Sequence, residues 1–491
     1  MDKKLEKDSV FIAGYYTKLN IFFILKELMI PKKNDSTIGN LFQFSPYIFF
    51  LSIYFSLYCY ILWTKNSYNS STIMLAGLPL FVAFISTIYA FFTFKAPLSI
   101  DKKIEIFLSG VAHNTAMNSY FIIIFIAIFN YMIAKINGVL IAVTLGLLYI
   151  PTSWVMPAMF LLASKIAILL RSLPATIIIF MPIAHGIAQS LQIDPAFMAA
   201  TILSGALYGN HISLYFHSII ADIKSNQLNI QSFFQKNTWI ILPAAIIALF
   251  IISHYQCEQI NPTVYHHLEK SLTIRDFINL IPYFFLLIAS FLNLNLLANL
   301  IIACLIAFII EIISYKVMFI DTATTMFNGF CGESIIVNLL LLHLIVAGLV
   351  QIIKYNGGFD YIIKKFQPKE RINSSKFEFR ALIITMMINL FVIIDTLSFQ
   401  VITEFIEKLS EKYNASQSKI TNMIHITSSI MQTILPYSSI MFLTIYLSKH
   451  SFFEIMNYMI YPGLIIILTT ISIIISACSS YTKAQYKKLN I

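Results

Sequence analysis

Apolar residues run along this chain in long blocks separated by short polar clusters, without the strict alternation of a half-buried strand. A helix needs about 20 apolar residues to cross the hydrocarbon of a bilayer. Blocks of that order lie near 45–64, 72–94, 116–136, 139–163, 166–192, 195–222, 237–254, 277–292, 294–317, 335–356, 378–400, 420–448 and 456–478. The pattern predicts an all-α integral membrane protein with about 12–13 transmembrane helices. Three blocks carry residues that interrupt a helix. The first holds Lys165, Arg171, Ser172, Pro174 and Thr176 ahead of Pro182, and the second holds Ser204, Gly205, Gly209, Asn210, His211 and Ser213. The third runs from His425 through Gln432, Pro436, Ser438 and Ser439. Proline removes a backbone donor, and polar, broken backbone persists at membrane depth only where it lines a cavity or is buried in protein. Discontinuous helices are therefore expected near 171–176, 207–213 and 433–439, meeting close to the bilayer midplane. For the glycines of the second block the competing reading is a small-residue helix-packing seam.

Interrupted blocks in both halves point to an inverted repeat, about 100–255 and about 294–478, with a transport site between the repeats. The halves share a hydropathy rhythm and no residue-level repeat. The expected organisation is an N-terminal segment over 1–44, a polytopic domain over 45–478 and a tail over 479–491. The stretch 401–419 reads as re-entrant or interfacial.

Composition sharpens this. The chain is 58% hydrophobic and 11% charged, against about 25% charged in soluble domains. Its net charge of +10 sits in loops and tails, which is the positive-inside pattern and not a nucleic-acid surface. Lys3, Lys4, Lys7, Lys32 and Lys33 place the N-terminus in the cytoplasm; Lys483, Lys487 and Lys488 do so for the C-terminus. Lys95, Lys102 and Lys103 mark one cytoplasmic loop, and Lys364, Lys365, Lys369, Arg371 and Lys376 another. No cleavable signal peptide is visible at the start. The five cysteines have no pairing or metal-ligand spacing and read as small hydrophobes. No nucleotide-binding, nucleophile-elbow or zinc signature is present, so an enzyme is not expected and no cofactor is called for.

The run Ser204 to Asp222, with Met181-Pro-Ile-Ala184 upstream, resembles the NhaC-type Na⁺/H⁺ antiporters of the ion transporter superfamily. Asn328-Gly329, Gly357-Gly358, Gln400, Leu435-Pro-Tyr-Ser-Ser439 and Phe452–Tyr461 fall in that family's order. The similarity covers about residues 100–478 and implies a secondary transporter of a bacterial inner membrane, with Na⁺ and H⁺ as coupling ions. The departures concern the chemistry. Asn210 and His217 stand where the family has its signature aspartates, and Arg171 to Thr176 replaces a Gly- and Thr-rich segment.

Asparagine can offer an amide oxygen to a cation but takes no proton, whereas histidine titrates near neutral pH. Transport-site candidates are Ser172, Thr176, Ser204, Gly205, Gly209, Asn210, His211, Ser213, His217, Ser438 and Ser439. A Na⁺ near Asn210 and Ser213 is one expectation, and Lys165 and Arg171 are fixed charges that could replace a cation or hold a carboxylate. His185, His343 and His425 read as packing histidines. Three functions follow: a Na⁺/H⁺ antiporter with weakened coupling, a carrier for a small organic anion or amino acid on the same fold, and a transport-inactive scaffold. Partners are the bilayer, a small ion or solute, and a second copy in a homodimer, with no nucleic acid.

Overall fold

The computed structural model describes residues 41–63, 71–94, 98–224, 238–259, 273–292, 294–331, 334–366, 374–392, 402 and 417–472. Most of 1–44, Lys95, nearly all of 401–416 and the tail 479–491 lie outside the described residues, and so does the side chain of His217. Among the described residues every regular element is helical.

The first half holds α1 (Ser45–Trp63), α2 (Ser71–Phe92), α3 (Ile100–Val111), α4 (Asn114–Lys135), α5 (Gly138–Tyr149), α6 (Val155–Leu170), α7 (Leu173–Leu191), α8 (Pro195–Lys224) and α9 (Thr238–Gln259). The second begins with α10 (Ile274–Asn279), α11 (Ile281–Phe291), α12 (Leu296–Tyr315), α13 (Phe319–Cys331), α14 (Ser334–Tyr355) and α15 (Gly358–Phe366). It continues with α16 (Ser374–Phe391), α17 (Gln417–Ile434), α18 (Ser439–Ser448), α19 (Phe452–Met456) and α20 (Ile460–Ser472).

Five of these helices are long and apolar enough to cross a membrane among the described residues, or six if the bent pair α17–α18 counts as one. Several of the sequence blocks are divided. The two expected over 139–192 are three helices, α5, α6 and α7, separated by turns at Ile150-Pro151 and Arg171-Ser172. The block 277–292 is split at Leu280, two residues ahead of Pro282. The block 420–448 bends by 41° between Ile434 and Ser439. Exposed apolar side chains are plentiful; Phe81, Phe84, Ile88 and Phe92 form an exposed stripe on α2.

One expected interruption is absent. Helix α8 runs unbroken through 207–213. Its glycines serve contact instead. A Cβ on Gly205 would stand 2.3 Å from the Phe160 carbonyl oxygen, and one on Gly209 2.2 Å from that of Ser164. Only hydrogen fits there, so α6 and α8 meet backbone to backbone, as small-residue seams do in membranes. Successive turns of α8 meet successive turns of α6, so the two helices run parallel. By this offset the turn at Arg171 is level with the stretch of α8 just past Ser213. Helix α8 continues to Lys224, roughly 12 Å further at 1.5 Å per residue.

Contacts recur at a fixed sequence spacing. Helix α3 packs on α14 while α13 packs on α4, and α2 packs on α14 while α12 packs on α4. A Cβ on Gly110 would meet Ala347 and Gln351; one on Gly329 would meet Ile128 and Tyr131. Each member of these contacts is 219 or 220 positions from its counterpart. Gly138 and Gly358, which open α5 and α15, sit against Ile133 and Ile353 in the same way: a Cβ on each would stand 2.8 and 2.7 Å from the isoleucine Cγ2. Asn210 and Ser429 are also 219 apart, and they touch each other.

Candidate functional site

The turn between α6 and α7 is built from local preferences. Arg171 adopts a left-handed conformation, φ 54°, and its N–H donates to the Ala167 carbonyl, closing α6. Ser172 then accepts from the Ala175 N–H at 3.3 Å, and Pro174 stands in the first turn of α7, where a missing donor costs nothing. Thr176 is buried one turn on, its hydroxyl donating to the Ser172 carbonyl. The second interruption is built alike. Ser438 caps α18 by accepting from the Met441 N–H at 3.1 Å, while its own hydroxyl donates to the Gln432 carbonyl.

Both interruptions border one cavity of about 620 Å³. Its polar lining is Asn118, Ser119, Arg171, Ser172, Asn210, Ser290, Asn295, His343, His425 and Ser439, drawn from both halves of the chain. Three helices begin at its wall: α7 at Leu173, α12 at Leu296 and α18 at Ser439. The first N–H groups of a helix lack intrahelical partners, and its N-terminus carries about half a positive charge. Among the described lining residues Arg171 is the one with a permanent charge, and none of them is a carboxylate.

Across the middle, the Asn210 side-chain amide donates to the Ser429 hydroxyl at 3.3 Å. Ser213 donates to the Asn210 carbonyl at 2.8 Å. Behind this contact His211 is fully buried, with Nδ1 3.0 Å from the Tyr461 hydroxyl and its ring 6.5 Å from that of His425.

The chain matches no family model and no curated protein. The geometry therefore stands by itself.

Of the residues singled out in the sequence, Arg171, Ser172, Asn210 and Ser439 line the cavity, and Ser438 holds the helix that borders it. Gly205 and Gly209 form the α6–α8 seam. Ser204 is buried, and its hydroxyl has no partner among the described residues. Lys165 projects from an exposed face of α6 and does not line the cavity. His185 bonds to Gln189 at 2.9 Å, away from it. His343 and His425, read as packing residues, both line the cavity. Asn118, Ser119, Ser290 and Asn295 were not singled out. A polar residue beside an apolar block, or capping its first turn as Asn295 does, was the available signal.

Proposed function

We propose that this chain is a secondary transporter, that its two halves form an inverted repeat, and that the cavity beside Arg171 binds a small organic anion. The observation that carries the cargo is the lining itself. Among the described residues it has one guanidinium, three helix N-termini and no carboxylate, and it is reached from both halves. Anions are favoured at such termini, and a guanidinium matches a carboxylate with two parallel hydrogen bonds. A cation there would be opposed by Arg171, by about 4 kcal/mol at 4 Å and an effective dielectric of 20. The resemblance to Na⁺/H⁺ antiporters of the NhaC type supports the architecture, while the cargo reading departs from it.

The repeat is supported by the contacts that recur at 219 or 220 positions. A contact between residues that are each other's counterparts, as Asn210 and Ser429 are, lies on the axis relating the halves. Charge supports inversion. Lys95, Lys102 and Lys103 precede α4, whereas Lys364, Lys365 and Arg371 follow α14. By the positive-inside rule α4 leaves the cytoplasmic face and its counterpart α14 arrives there. The site then lies at the crossing of the halves, where such carriers bind their substrates.

The test is thermal unfolding of purified protein in detergent with lactate, malonate, citrate, sulfate, phosphate, alanine or NaCl. A ligand that binds only the folded state raises stability by RT ln(1 + [L]/Kd). Stabilisation by at least one anion, lost in Arg171→Ala and partly restored in Arg171→Lys, is expected. Sodium-driven proton exchange in liposomes with no anion effect would establish the antiporter reading instead, and silence in both assays the scaffold.

A further inference from the structure

We propose that the cavity takes a linear aliphatic dicarboxylate held at two poles, one carboxylate by Arg171 and the start of α7, the other by Ser290 and the start of α12. This rests on the reading of the cavity as an anion site and names its substrate class. The turns that supply the poles belong to different halves of the chain, and each closes one helix and opens the next. At the first, Arg171 closes α6, Ser172 caps α7, and the guanidinium supplies a fixed charge. The second joins α11 to α12, and its residues from Leu292 to Leu296 carry no charge. Attraction for an anion there comes from the positive end of a 20-residue helix. Asn295 caps that helix, its Oδ1 accepting from the Leu297 N–H at 2.9 Å, and the Asn299 amide donates to the Leu294 carbonyl at 3.4 Å. The turn is thus tied to the helix it opens.

Ser290 marks this helix start as a place for a ligand. It lies in the last turn of α11, forms part of the cavity wall and is 5% exposed, and its hydroxyl makes no hydrogen bond among the described residues. Hydroxyls elsewhere on these helices donate to the carbonyl four positions back, as those of Ser86, Thr144, Ser190 and Ser253 do. A buried hydroxyl left unpaired costs free energy that a ligand oxygen beside it would recover. Apolar side chains adjoin both poles: Leu169, Leu170 and Leu173 the first, Leu294 the second, with Ile122 and Ile123 of α4 in the same wall. A methylene chain suits that surface, whereas sulfate or phosphate is too short to reach both turns and would leave it unused. The ammonium of an amino acid would meet the positive end of a helix at either pole. At about 620 Å³ the cavity is within the range of small-molecule sites.

The experiment uses the full chain in detergent at about pH 7.5, where aliphatic carboxylates are ionised. Thermal stabilisation gives the affinity for butyrate, pentanoate and hexanoate, and for the dicarboxylates of equal length, succinate, glutarate and adipate. At one length at least, the dicarboxylate should bind about tenfold tighter than its monocarboxylate, the gain expected from a charge at a half-buried helix start with a hydroxyl beside it. Ser290→Ala should cut that ratio by about threefold or more. It removes a hydroxyl that makes no hydrogen bond among the described residues, so unfolding without ligand should not move to lower temperature. Asn295→Asp keeps a capping oxygen for the Leu297 N–H and sets a negative charge at the second pole, so the ratio should vanish. Arg171→Ala should weaken both members of each pair. Equal affinity within every pair overturns the proposal while leaving the anion site standing, and so does a ratio kept in full by either Ser290→Ala or Asn295→Asp. Binding of 4-hydroxybutyrate as tight as that of succinate overturns the second carboxylate in the same way. No stabilisation by any of these anions removes the anion site and this proposal with it.

Discussion

Replacing Gly209 by alanine adds one methyl group at the tightest point of the α6–α8 seam. That Cβ would stand 2.2 Å from the Ser164 carbonyl oxygen, 2.8 Å from the Ala167 Cβ and 2.9 Å from the Ser164 carbonyl carbon. Ordinary contact begins near 3.4 Å, so α6 must recede by about 1.2 Å along that line. The obstructing atoms are mostly backbone, and no side chain can swing aside to absorb the shift. Overpacking of this kind costs about 1–3 kcal/mol, and a backbone displacement of this size belongs at the upper end. Alanine returns roughly 1 kcal/mol of helix propensity, leaving a net loss of about 2 kcal/mol. Gly463, in α20, supplies the control, because a Cβ there meets nothing within 4 Å. Gly463→Ala should therefore gain about 0.5–1 kcal/mol from propensity alone. The assay is thermal unfolding in detergent, where the two variants should move in opposite directions, by on the order of a few °C. Gly209→Ala should also weaken anion binding, since the next residue, Asn210, holds Ser429 at 3.3 Å and has little slack. If Gly209→Ala is as stable as Gly463→Ala, the seam is not backbone to backbone and the placement of Asn210 loses its foundation.

Arg171→Gly removes the guanidinium while relaxing a residue held at φ 54°, so unfolding without ligand should not move to lower temperature even as anion stabilisation is lost; retained stabilisation would place the charge outside the site. Ser438→Ala removes the cap of α18 and the tie to the Gln432 carbonyl, and a loss of about 1 kcal/mol in thermal unfolding is expected. An unchanged melting curve would show that the bend is held elsewhere. The Ser451 N–H, donating at 2.8 Å, holds the Glu454 carboxyl below its ordinary range, with the Ser451 hydroxyl and His450 adding to the effect. That stabilisation is complete above the ordinary carboxylate range and is lost as pH falls through the lowered value. Amide exchange of α19 should accelerate there in the wild type and show no such step in Glu454→Gln.

The turn Arg171-Ser172-Leu173-Pro174 was legible because its parts act locally: a hydroxyl caps, and a proline prefers the first turn. Gly205 and Gly209 were open to two readings because the same residues can open a helix or let a neighbour approach, and the packing seam is the one found. What decides is the backbone of Phe160 and Ser164, which lie more than forty positions away. The blocks over 139–192 ran together because hydropathy does not register a left-handed Arg171 or a turn at Pro151. Helix α3 escaped notice because Asp101, Lys102, Lys103 and Glu105 mask its apolar face, and the recurrence at 219 or 220 positions rests on contacts, with only scattered identities such as Gly110 with Gly329 and Gly138 with Gly358 to mark it. His343 and His425 looked like packing residues because their shared cavity forms only when both halves are assembled. The stretch 401–416 and the side chain of His217, on which other expectations rested, lie outside the described residues.

The docking of α3 on α14 and of α13 on α4 has a consequence for biogenesis. Each short helix finds its seat on the opposite half of the chain, so the notch at Gly110 stays empty until Ala347 has been made. At about 5–20 residues per second that interval is roughly 10–50 s on the ribosome. During it the first half sits in the bilayer with α3 undocked. An isolated first half should therefore be a target for membrane proteases, and two halves expressed as separate chains should protect each other.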